Sequence, residues 1–250
     1  MVEYVWYISL TRLNCDEESE MLGLWMSPAG KNTKMISSLR LAAVNWAAKL
    51  RLGRSSQQAE AWGALNTTIS RKLMHPLPAL TLTEKECTSI MAPAICTALV
   101  PKAGISSCIS SVVRHAPTQS LGLDVPNLYT AMGTAHTSLL LEHCWQKTPT
   151  GQLLQVAIEN HVLDVGLNFI WDNTRFASYS RWRSHHSWIY NVCAFNNEKE
   201  IALSLHPKRR HDRALMELAS EFLNTTSELK AFNRVRMLHN VVSLAKWEKT

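Results

Sequence analysis

Helix-breaking turns divide this chain into segments in which apolar residues recur every three or four positions. The spacing predicts an amphipathic helix over residues 31–52, whose apolar face carries Met35, Ile36, Leu39, Ala42, Ala43, Trp46 and Leu50. A second helix is expected over residues 55–74. It should end before His75-Pro76-Leu77-Pro78, because a residue that precedes proline disfavours the helical conformation. The chain is therefore constrained to fold as helices joined by short turns.

Later segments repeat this arrangement. Thr83 and Glu86 are spaced as a capping box, in which each side chain caps the backbone of the other at a helix start. Pro93 lies inside the helix that follows, so a kink or break is predicted there. Residues 112–126 look irregular. Further helices are predicted over residues 128–145, 152–165, 212–223 and 228–246.

The first thirty residues differ from the rest because they favour strands and turns. Residues 2–10 are rich in Val, Tyr, Trp and Ile, and residues 21–26 form a second short apolar run before the turn at Ser27-Pro28-Ala29-Gly30. The acidic stretch between the two runs predicts a turn. The predicted fold class is therefore mainly α, a helical bundle with a short N-terminal β-hairpin.

Composition excludes several classes of protein. Apolar residues make up 46% of the 250 residues and charged residues only 18%, which suits a folded core and argues against wholesale disorder. No apolar run reaches the roughly 18 residues that span a membrane, and the N-terminus lacks the pattern of a signal peptide. The six cysteines include no Cys-x-x-Cys pair, which indicates a reduced, intracellular protein, either nuclear or cytoplasmic.

Positive charge is concentrated late in the chain. Most of the net charge of +6 arises between residues 175 and 215, where eight Lys or Arg face three acidic residues. Cations there alternate with aromatic rings, a combination that neutralises phosphates while stacking bases. The competing interpretation, that Trp182 and Trp188 are core residues from which arginines extend to solvent, stays open. The candidate nucleic-acid-binding residues of this region are Arg175, Tyr179, Arg181, Trp182, Arg183, Trp188, Lys208, Arg209, Arg210 and Arg213.

Several motifs follow one another along the chain. An early one is Leu22-Gly23-Leu24-Trp25, and the most specific is Pro76-Leu77-x-Ala79-x-Thr81-Leu82-Thr83 followed by Cys87-x-x-Ile90-Met91-x-Pro93. The later motifs are Leu121-Gly122-Leu123, Gly133-x-x-His136, Leu139-Leu140-x-x-His143, Thr150-Gly151-Gln152-Leu153-Leu154 and Asn233-Arg234-x-Arg236. Over residues 21–246 the series resembles the thumb and post-polymerase (C-terminal) region of a non-LTR-type retroelement reverse transcriptase polyprotein.

This resemblance implies a β element at the palm–thumb junction (residues 1–30), thumb-like helices (31–75), a helical post-polymerase region (76–170), and a basic–aromatic segment with C-terminal helices (171–250). A thumb holds nucleic acid by shape and charge, although a solvated helix face explains any one of its cations equally well. The chain departs from the family pattern at Arg114-His115-Ala116-Pro117, where a Gly-Pro turn is usual, and at His75, where an aromatic residue is usual. The implied phosphate contacts of the thumb are Lys49, Arg51, Arg54, Arg71 and Lys72.

Reverse transcription requires paired palm aspartates that hold two metal ions. This chain has five aspartates, none of them adjacent, and it lacks a Tyr-x-Asp-Asp turn. His136 and His143 would lie about 10 Å apart along a helix, too far to share one zinc ion. We therefore expect no catalytic residue, no metal and no cofactor, and the resemblance implies that a palm domain outside this chain performs the chemistry.

The expected role is binding of template RNA or an RNA–DNA hybrid by a truncated fragment of the polyprotein, with no membrane partner. The run Lys208-Arg209-Arg210 also fits a nuclear localisation signal. Two alternatives stay open. One is a helical protein-interaction module in which Trp46, Trp62 and Trp145 build the core, and the other is a decayed open reading frame without function.

Overall fold

A computed structural model describes residues 14–52, 58–99, 102, 104–106, 108–165, 170–171, 173, 176, 187–203, 223, 226–239 and 241. Within these residues the fold is mainly α-helical with a two-stranded β-hairpin near the N-terminus, which confirms the predicted fold class. The strands and α-helices are β1 (Ser19–Met21), β2 (Leu24–Met26), α1 (Thr33–Leu52), α2 (Gln58–Ala64), α3 (Ser70–Met74), α4 (Glu84–Ala94), α5 (Ser111–His115), α6 (Leu128–His143), α7 (Pro149–Val165), α8 (Trp188–Glu198) and α9 (Thr226–Leu238).

The hairpin reverses direction inside the apolar run that the sequence presents as a single strand. β1 and β2 are antiparallel, with Glu20 opposite Trp25. Between them Leu22 and Gly23 have φ angles of 52° and 79°. Positive φ at both central residues is typical of a two-residue hairpin turn, and glycine adopts it without strain. The prediction of one strand over residues 21–26 is therefore wrong. The other predicted strand, residues 2–10, lies outside the described residues.

Glu18 connects the hairpin to α1. Its carboxylate is buried and accepts hydrogen bonds from the backbone N–H groups of Thr33 and Lys34, at 3.0 and 2.6 Å. The first N–H groups of an α-helix have no partner within the helix, and a carboxylate there also meets the positive end of the helix dipole. The Lys34 ammonium group in turn lies 4.8 Å from the centre of the Trp25 ring on β2. Part of the acidic stretch that predicts a turn thus serves as a helix cap.

α2 and α3 form one helical segment that contains a π-helical turn, Leu65–Ile69. Leu65, Ile69 and Leu73 are buried, as the predicted apolar face requires. The exposed side of the turn is polar, and there the Thr67 hydroxyl donates to the carbonyl oxygen of Gly63 at 2.7 Å. The segment ends at Met74, immediately before the proline-rich turn, which confirms the predicted helix end.

α4 begins and ends where the sequence predicts. The backbone N–H of Thr83 donates to Glu86 Oε2 at 2.7 Å, and the backbone N–H of Glu86 donates to Thr83 Oγ1 at 3.3 Å, which confirms the capping box. Pro93 lacks an N–H group and cannot continue the pattern of helical hydrogen bonds. The α-helix ends one residue later, and the chain continues as a π-helical turn over Ile95–Leu99.

Within the described residues, the core comprises two hydrophobic clusters that share α6. Leu128 and Met132 at the start of α6 belong to the larger cluster, while Leu140 and the following Cys144 belong to the smaller one. The larger cluster also buries Met35, Leu39, Ala43, Leu65, Ile69, Leu73, Leu77, Leu80, Ile90 and Met91. The smaller cluster also buries Ile170, Trp171, Ile189, Val192, Cys193 and Leu203.

α8 packs against α6 at Gly133. The Phe195 ring occupies the space that a β-carbon at position 133 would need, so any other residue there would require this ring or α8 to move. One turn further along α6, Thr137 Oγ1 accepts a hydrogen bond from Asn196 Nδ2 at 3.2 Å. Tyr129 meets the same Phe195 ring edge to face, with ring centres 5.7 Å apart. The glycine of this motif therefore has a steric role.

Several predicted boundaries are wrong. Residues 112–126, predicted to be irregular, contain most of α5 and a 3-10 turn, Thr118–Ser120. α8 lies where no helix is predicted, although Ser187 caps it by accepting a hydrogen bond from the Tyr190 N–H at 3.4 Å. The helix predicted over 228–246 ends at Leu238. The helix predicted over 212–223 lies, apart from residue 223, outside the described residues.

Replacing Glu18 with alanine should lower the free energy of unfolding by about 1–2 kcal/mol, because two backbone N–H groups lose their acceptor. Glu20→Ala is the matched control, since Glu20 is an exposed acid of the same hairpin and its loss should cost less than about 0.5 kcal/mol. Urea denaturation followed by circular dichroism measures both changes. Equal losses in the two variants would contradict the capping role of Glu18.

Candidate nucleic-acid interface

The predicted nucleic-acid-binding residues fall into two groups. Lys49 and Arg51 lie on α1, Arg71 and Lys72 lie on α3, and Trp188 is the first residue of α8. The others lie outside the described residues, and their binding roles stay predictions. They are Arg54, Arg175, Tyr179, Arg181, Trp182, Arg183, Lys208, Arg209, Arg210 and Arg213.

Trp188 packs against the proline-rich turn. Its side chain is half-buried, and its indole N–H donates to the carbonyl oxygen of Pro78 at 3.0 Å. The ring centre lies 4.9 Å from that of His136 on α6. Trp188 therefore fixes α8 to two neighbouring elements, which is the structural role that the competing interpretation assigns to it. Its contact with nucleic acid stays a prediction.

His136 is hydrogen-bonded to the Leu77 carbonyl, which precedes the Pro78 carbonyl that Trp188 binds. Its Nε2 lies 3.1 Å from the carbonyl oxygen of Leu77, and only 1% of the residue is exposed. Burial lowers the pKa of His136 to about 4, although hydrogen bonds with the backbone of the turn oppose the shift. The ring is therefore neutral at pH 7, and the tautomer with a proton on Nε2 donates to Leu77.

Metal ligation has no support among the residues that the structure describes, because no three His, Cys, Asp or Glu side chains converge there. The Nε2 atom of His136 is hydrogen-bonded to the Leu77 carbonyl of the proline-rich turn. His143 Nδ1 lies 3.3 Å from Gln146 Oε1. Burial raises the pKa of the Cys144 thiol. His75 is exposed at the end of α3, where its backbone N–H donates to the carbonyl oxygen of Arg71 at 3.0 Å.

Lys49 and Arg51 are both exposed, but they point to different sides of α1. Two residues along an α-helix correspond to a rotation of about 200°, so the two side chains are directed nearly opposite to each other. Lys49 lies one turn after Trp46, whose indole N–H donates to Thr68 Oγ1 of the first π-helical turn at 3.1 Å. Lys49 therefore lies one helical turn from the hydrogen bond that joins α1 to the α2–α3 segment.

A cationic surface forms where α1 meets this segment. Arg71 and Lys72 follow Thr68 by three and four residues, which places all three side chains on one exposed helix face. Trp46 and Lys49 extend that surface across the interface between the helices. We refer to Trp46, Lys49, Thr68, Arg71 and Lys72 as the α1–π patch. Its three cations form no ion pair within the described part of the chain.

Arg236, which belongs to the last motif of the series, has a structural role. None of its surface is exposed, and its guanidinium donates to the carbonyl oxygens of Asp164 at 2.7 Å and Val241 at 3.1 Å. It also donates to the Asn233 side chain. Burial lowers the pKa of Arg236 to about 10, so the group stays charged at neutral pH. Arg236 thus fixes α9 to the last turn of α7, where a cation meets the negative end of the helix dipole.

A cavity of about 340 Å³ lies between the turn that follows β2 and the start of α8. The polar side chains that line it already form hydrogen bonds or ion pairs within the protein. Asn32 donates to the carbonyl oxygen of Thr81 at 3.0 Å, Lys31 pairs with Asp16 at 2.9 Å, and Ser187 caps α8. The cavity therefore offers a ligand little polar chemistry, and it carries no site assignment.

Comparisons with protein-family models, with curated proteins and with solved structures found no match to this chain. The resemblance to retroelement reverse transcriptases therefore rests on the sequence motifs alone and stays a proposal. Within the described residues, no helix combines the length and the apolar character needed to cross a membrane.

Acid should destabilise the fold through His136. Between the ordinary histidine pKa of 6.5 and the folded value of about 4, the unfolded chain binds a proton that the folded ring does not. The free energy of unfolding should therefore fall as pH decreases through this range, with about 3 kcal/mol of the change due to this one group. The measurement is urea denaturation at several pH values.

The variant that isolates this effect is His136→Gln, which keeps a donor for the Leu77 carbonyl and does not titrate. Its stability should depend less steeply on pH than that of the wild type between pH 6.5 and 4. The exposed His75, replaced by Gln, is the matched control and should leave the wild-type dependence unchanged. Parallel pH profiles for wild type and His136→Gln would refute the assignment.

Proposed function

We propose that this chain is the thumb and post-polymerase part of a non-LTR-type retroelement reverse transcriptase, and that it binds template RNA or an RNA–DNA hybrid. The observation that carries the proposal is the series of motifs, in order, from Leu22-Gly23 to Arg236. The chemistry of polymerisation is assigned to a palm domain, because this chain lacks the paired aspartates that would hold two metal ions.

The structural positions of the motif residues support a shared architecture. Thr83 caps α4, Gly133 admits the Phe195 ring, and His136 holds the Leu77 carbonyl. Arg236 joins α9 to α7. Residues of this kind determine where helices start and how they pack. A motif series built from them therefore supports a similar fold more directly than it supports a particular reaction.

The charge distribution supports a polyanionic partner. The net charge is +6, the basic–aromatic segment is rich in Lys and Arg, and the α1–π patch has three exposed cations on helices. Cationic clusters attract the phosphate backbone and release its counterions when they bind it. This support concerns nucleic acid as a class, and the template RNA or the RNA–DNA hybrid follows from the resemblance.

Filter binding with structured RNA at 50–200 mM salt tests the proposal. The logarithm of the association constant should fall linearly with the logarithm of the salt concentration, by about 0.9 for each duplex phosphate contact. Replacing Arg181, Arg183, Arg209 and Arg210 with alanine should flatten this slope by up to about 4. No affinity at low salt, or affinity that salt does not change, would refute nucleic-acid binding.

A second candidate function is a helical protein-interaction module. The observation that favours it is the solvent-facing side of α1, where Leu41, Val44 and Leu52 are 59%, 43% and 81% exposed. Apolar side chains gathered on one exposed helix face are typical of a protein contact surface.

Two multiple variants separate the candidates. If the exposed face of α1 is the functional surface, Leu41→Ser combined with Leu52→Ser should abolish binding to a recombinant palm domain and leave RNA affinity intact. Under the first proposal, the variant in which Arg181, Arg183, Arg209 and Arg210 are replaced with alanine should lose RNA affinity and retain binding to the palm domain. Surface plasmon resonance with palm domain and RNA as separate analytes measures both, and retention of palm binding in the double leucine variant would eliminate this surface.

A further inference from the structure

We propose that a cavity between α4, α5 and the start of α6 binds a short-chain monocarboxylate, whose carboxylate group is held by Arg114. The site goes beyond the proposed function, because nucleic acid has no part in it. The cavity includes Arg114-His115, where the chain departs from the retroelement pattern, so the resemblance does not imply a site here.

Arg114 is the residue of the cavity lining that carries a permanent positive charge. It is half-buried on α5, and its Nη2 group donates to the carbonyl oxygen of Ile109 at 3.1 Å. Its Nε–H is buried without an acceptor, and no acidic side chain pairs with the guanidinium in the part of the chain that the structure describes. A guanidinium presents its donors in a planar fork that matches a carboxylate. An anion beside Arg114 therefore supplies the opposite charge that the protein does not.

A second donor lines the cavity at the start of α6. The Asn127 side-chain oxygen caps this helix by accepting the Thr130 N–H at 3.1 Å, which leaves its amide NH2 group without a partner among the described residues. The Thr88 hydroxyl, which also lines the cavity, already donates to the carbonyl oxygen of Glu84 at 2.9 Å. The available donors are therefore those of Arg114 and Asn127, and the two oxygens of a carboxylate suffice to engage both.

The size and the apolar walls of the cavity suit a short acid. The volume is about 60 Å³, and a water-sized group needs about 10–15 Å³ of such space, so the cavity accommodates about four to six of these groups. Met91, Ala92 and Ile95 form one apolar wall, and Leu128 contributes to another. Propionate has a carboxylate head and a two-carbon tail, so it matches both the volume and the mixed lining.

The charges around the cavity favour a monoanion over a dianion such as phosphate. Burial raises the pKa of the Cys87 thiol to about 12, and the nearby carboxylates of Glu86 and Glu84 contribute to the rise. The thiol of this lining residue is therefore neutral at pH 7, while the two carboxylates make the potential around it more negative. Arg114 balances one negative charge, and a second charge on the ligand meets this potential without a cation of its own.

Hydrogen bonds hold the cavity walls in place. The backbone N–H of Val125 donates to the carbonyl oxygen of Arg114 at 3.0 Å, and His115 Nδ1 lies 2.7 Å from the carbonyl oxygen of Val125. Both bonds join α5 to the segment that leads into α6. Arg114 and Asn127 thus keep their positions around the cavity, and a site whose groups are already placed loses little affinity to ordering.

Two-dimensional ¹⁵N–¹H NMR of the full chain, at constant ionic strength, tests the site with four probes. These are propionate, its neutral isostere propionamide, inorganic phosphate and benzoate. Propionate should cause saturable shifts of the backbone signals of Ala92, Asn127 and Leu128. Propionamide should bind about tenfold more weakly or worse, because it lacks the charge-assisted hydrogen bond to the guanidinium. Phosphate should bind more weakly because of its second charge, and benzoate because of its size.

Three variants locate the binding. Arg114→Gln should weaken propionate binding by about 10- to 100-fold, because it removes the charged donor. Arg40→Gln is the matched control, since Arg40 is an exposed arginine of α1 outside the cavity lining, and it should keep the wild-type affinity. Ala92→Leu keeps Arg114 but fills part of the cavity, and it should also abolish binding. It decides the question if Arg114→Gln does not fold.

Four results would overturn the inference. The first is the absence of saturable propionate shifts at the cavity residues. The second is equal affinity for propionate and propionamide, which would show that the charge is not recognised. The third is phosphate binding as tight as that of propionate, which would indicate a general anion site. The fourth is wild-type affinity in Arg114→Gln or Ala92→Leu, which would place the binding elsewhere. All four leave the proposed function standing, because RNA binding is measured separately.

Discussion

Among the described residues, the packing of α6 and α8 depends on hydrogen bonds to two backbone carbonyls, those of Leu77 and Pro78. They lie in a proline-rich turn, where the Leu77 carbonyl oxygen accepts the backbone N–H of Leu80 at 3.1 Å and no α-helix continues. A buried carbonyl without a partner costs about 1–3 kcal/mol. His136 of α6 donates a second hydrogen bond to the Leu77 carbonyl, and Trp188 of α8 donates one to the Pro78 carbonyl. Because α8 belongs to the smaller cluster and the turn to the larger one, the Trp188 hydrogen bond connects the two clusters.

Local patterns in the sequence were sufficient for the elements whose causes are local. α1, the capping box of α4 and the end of α3 before Pro76 all follow from residues a few positions apart. The hairpin was misplaced because Leu22, an apolar residue, occupies a turn position where Asn or Gly is the usual signal. The partners of His136 and Arg236 lie 59 and 72 residues away, and no spacing rule connects residues so distant. Both side chains have structural roles in the fold.

The sequence predicts which cations are candidates for the interface, but it does not predict which of them lie close together in the fold. Counting cations identifies Lys49 and Arg51 together, although the rotation of the helix separates them to different sides of α1. The contact between Trp46 and Thr68 brings Lys49 to Arg71 and Lys72. It depends on a π-helical turn, whose extra residue per turn changes which side chains face a neighbouring helix. Periodicity at 3.6 residues cannot reveal such a turn, so the α1–π patch becomes visible only once the helices are packed.

Architecture and binding rest on different residues of this chain. The motifs that resemble the retroelement family contain residues such as Thr83, Gly133 and His136, which cap helices, admit a neighbouring ring or hold a turn. The three cations of the α1–π patch, by contrast, are exposed and belong to neither hydrophobic cluster. Removing those cations should therefore leave the fold intact, and disrupting the turn should unfold the chain whatever it binds. For this reason the origin proposed from the motifs and the binding proposed from the surface charge can be tested, and can fail, independently of each other.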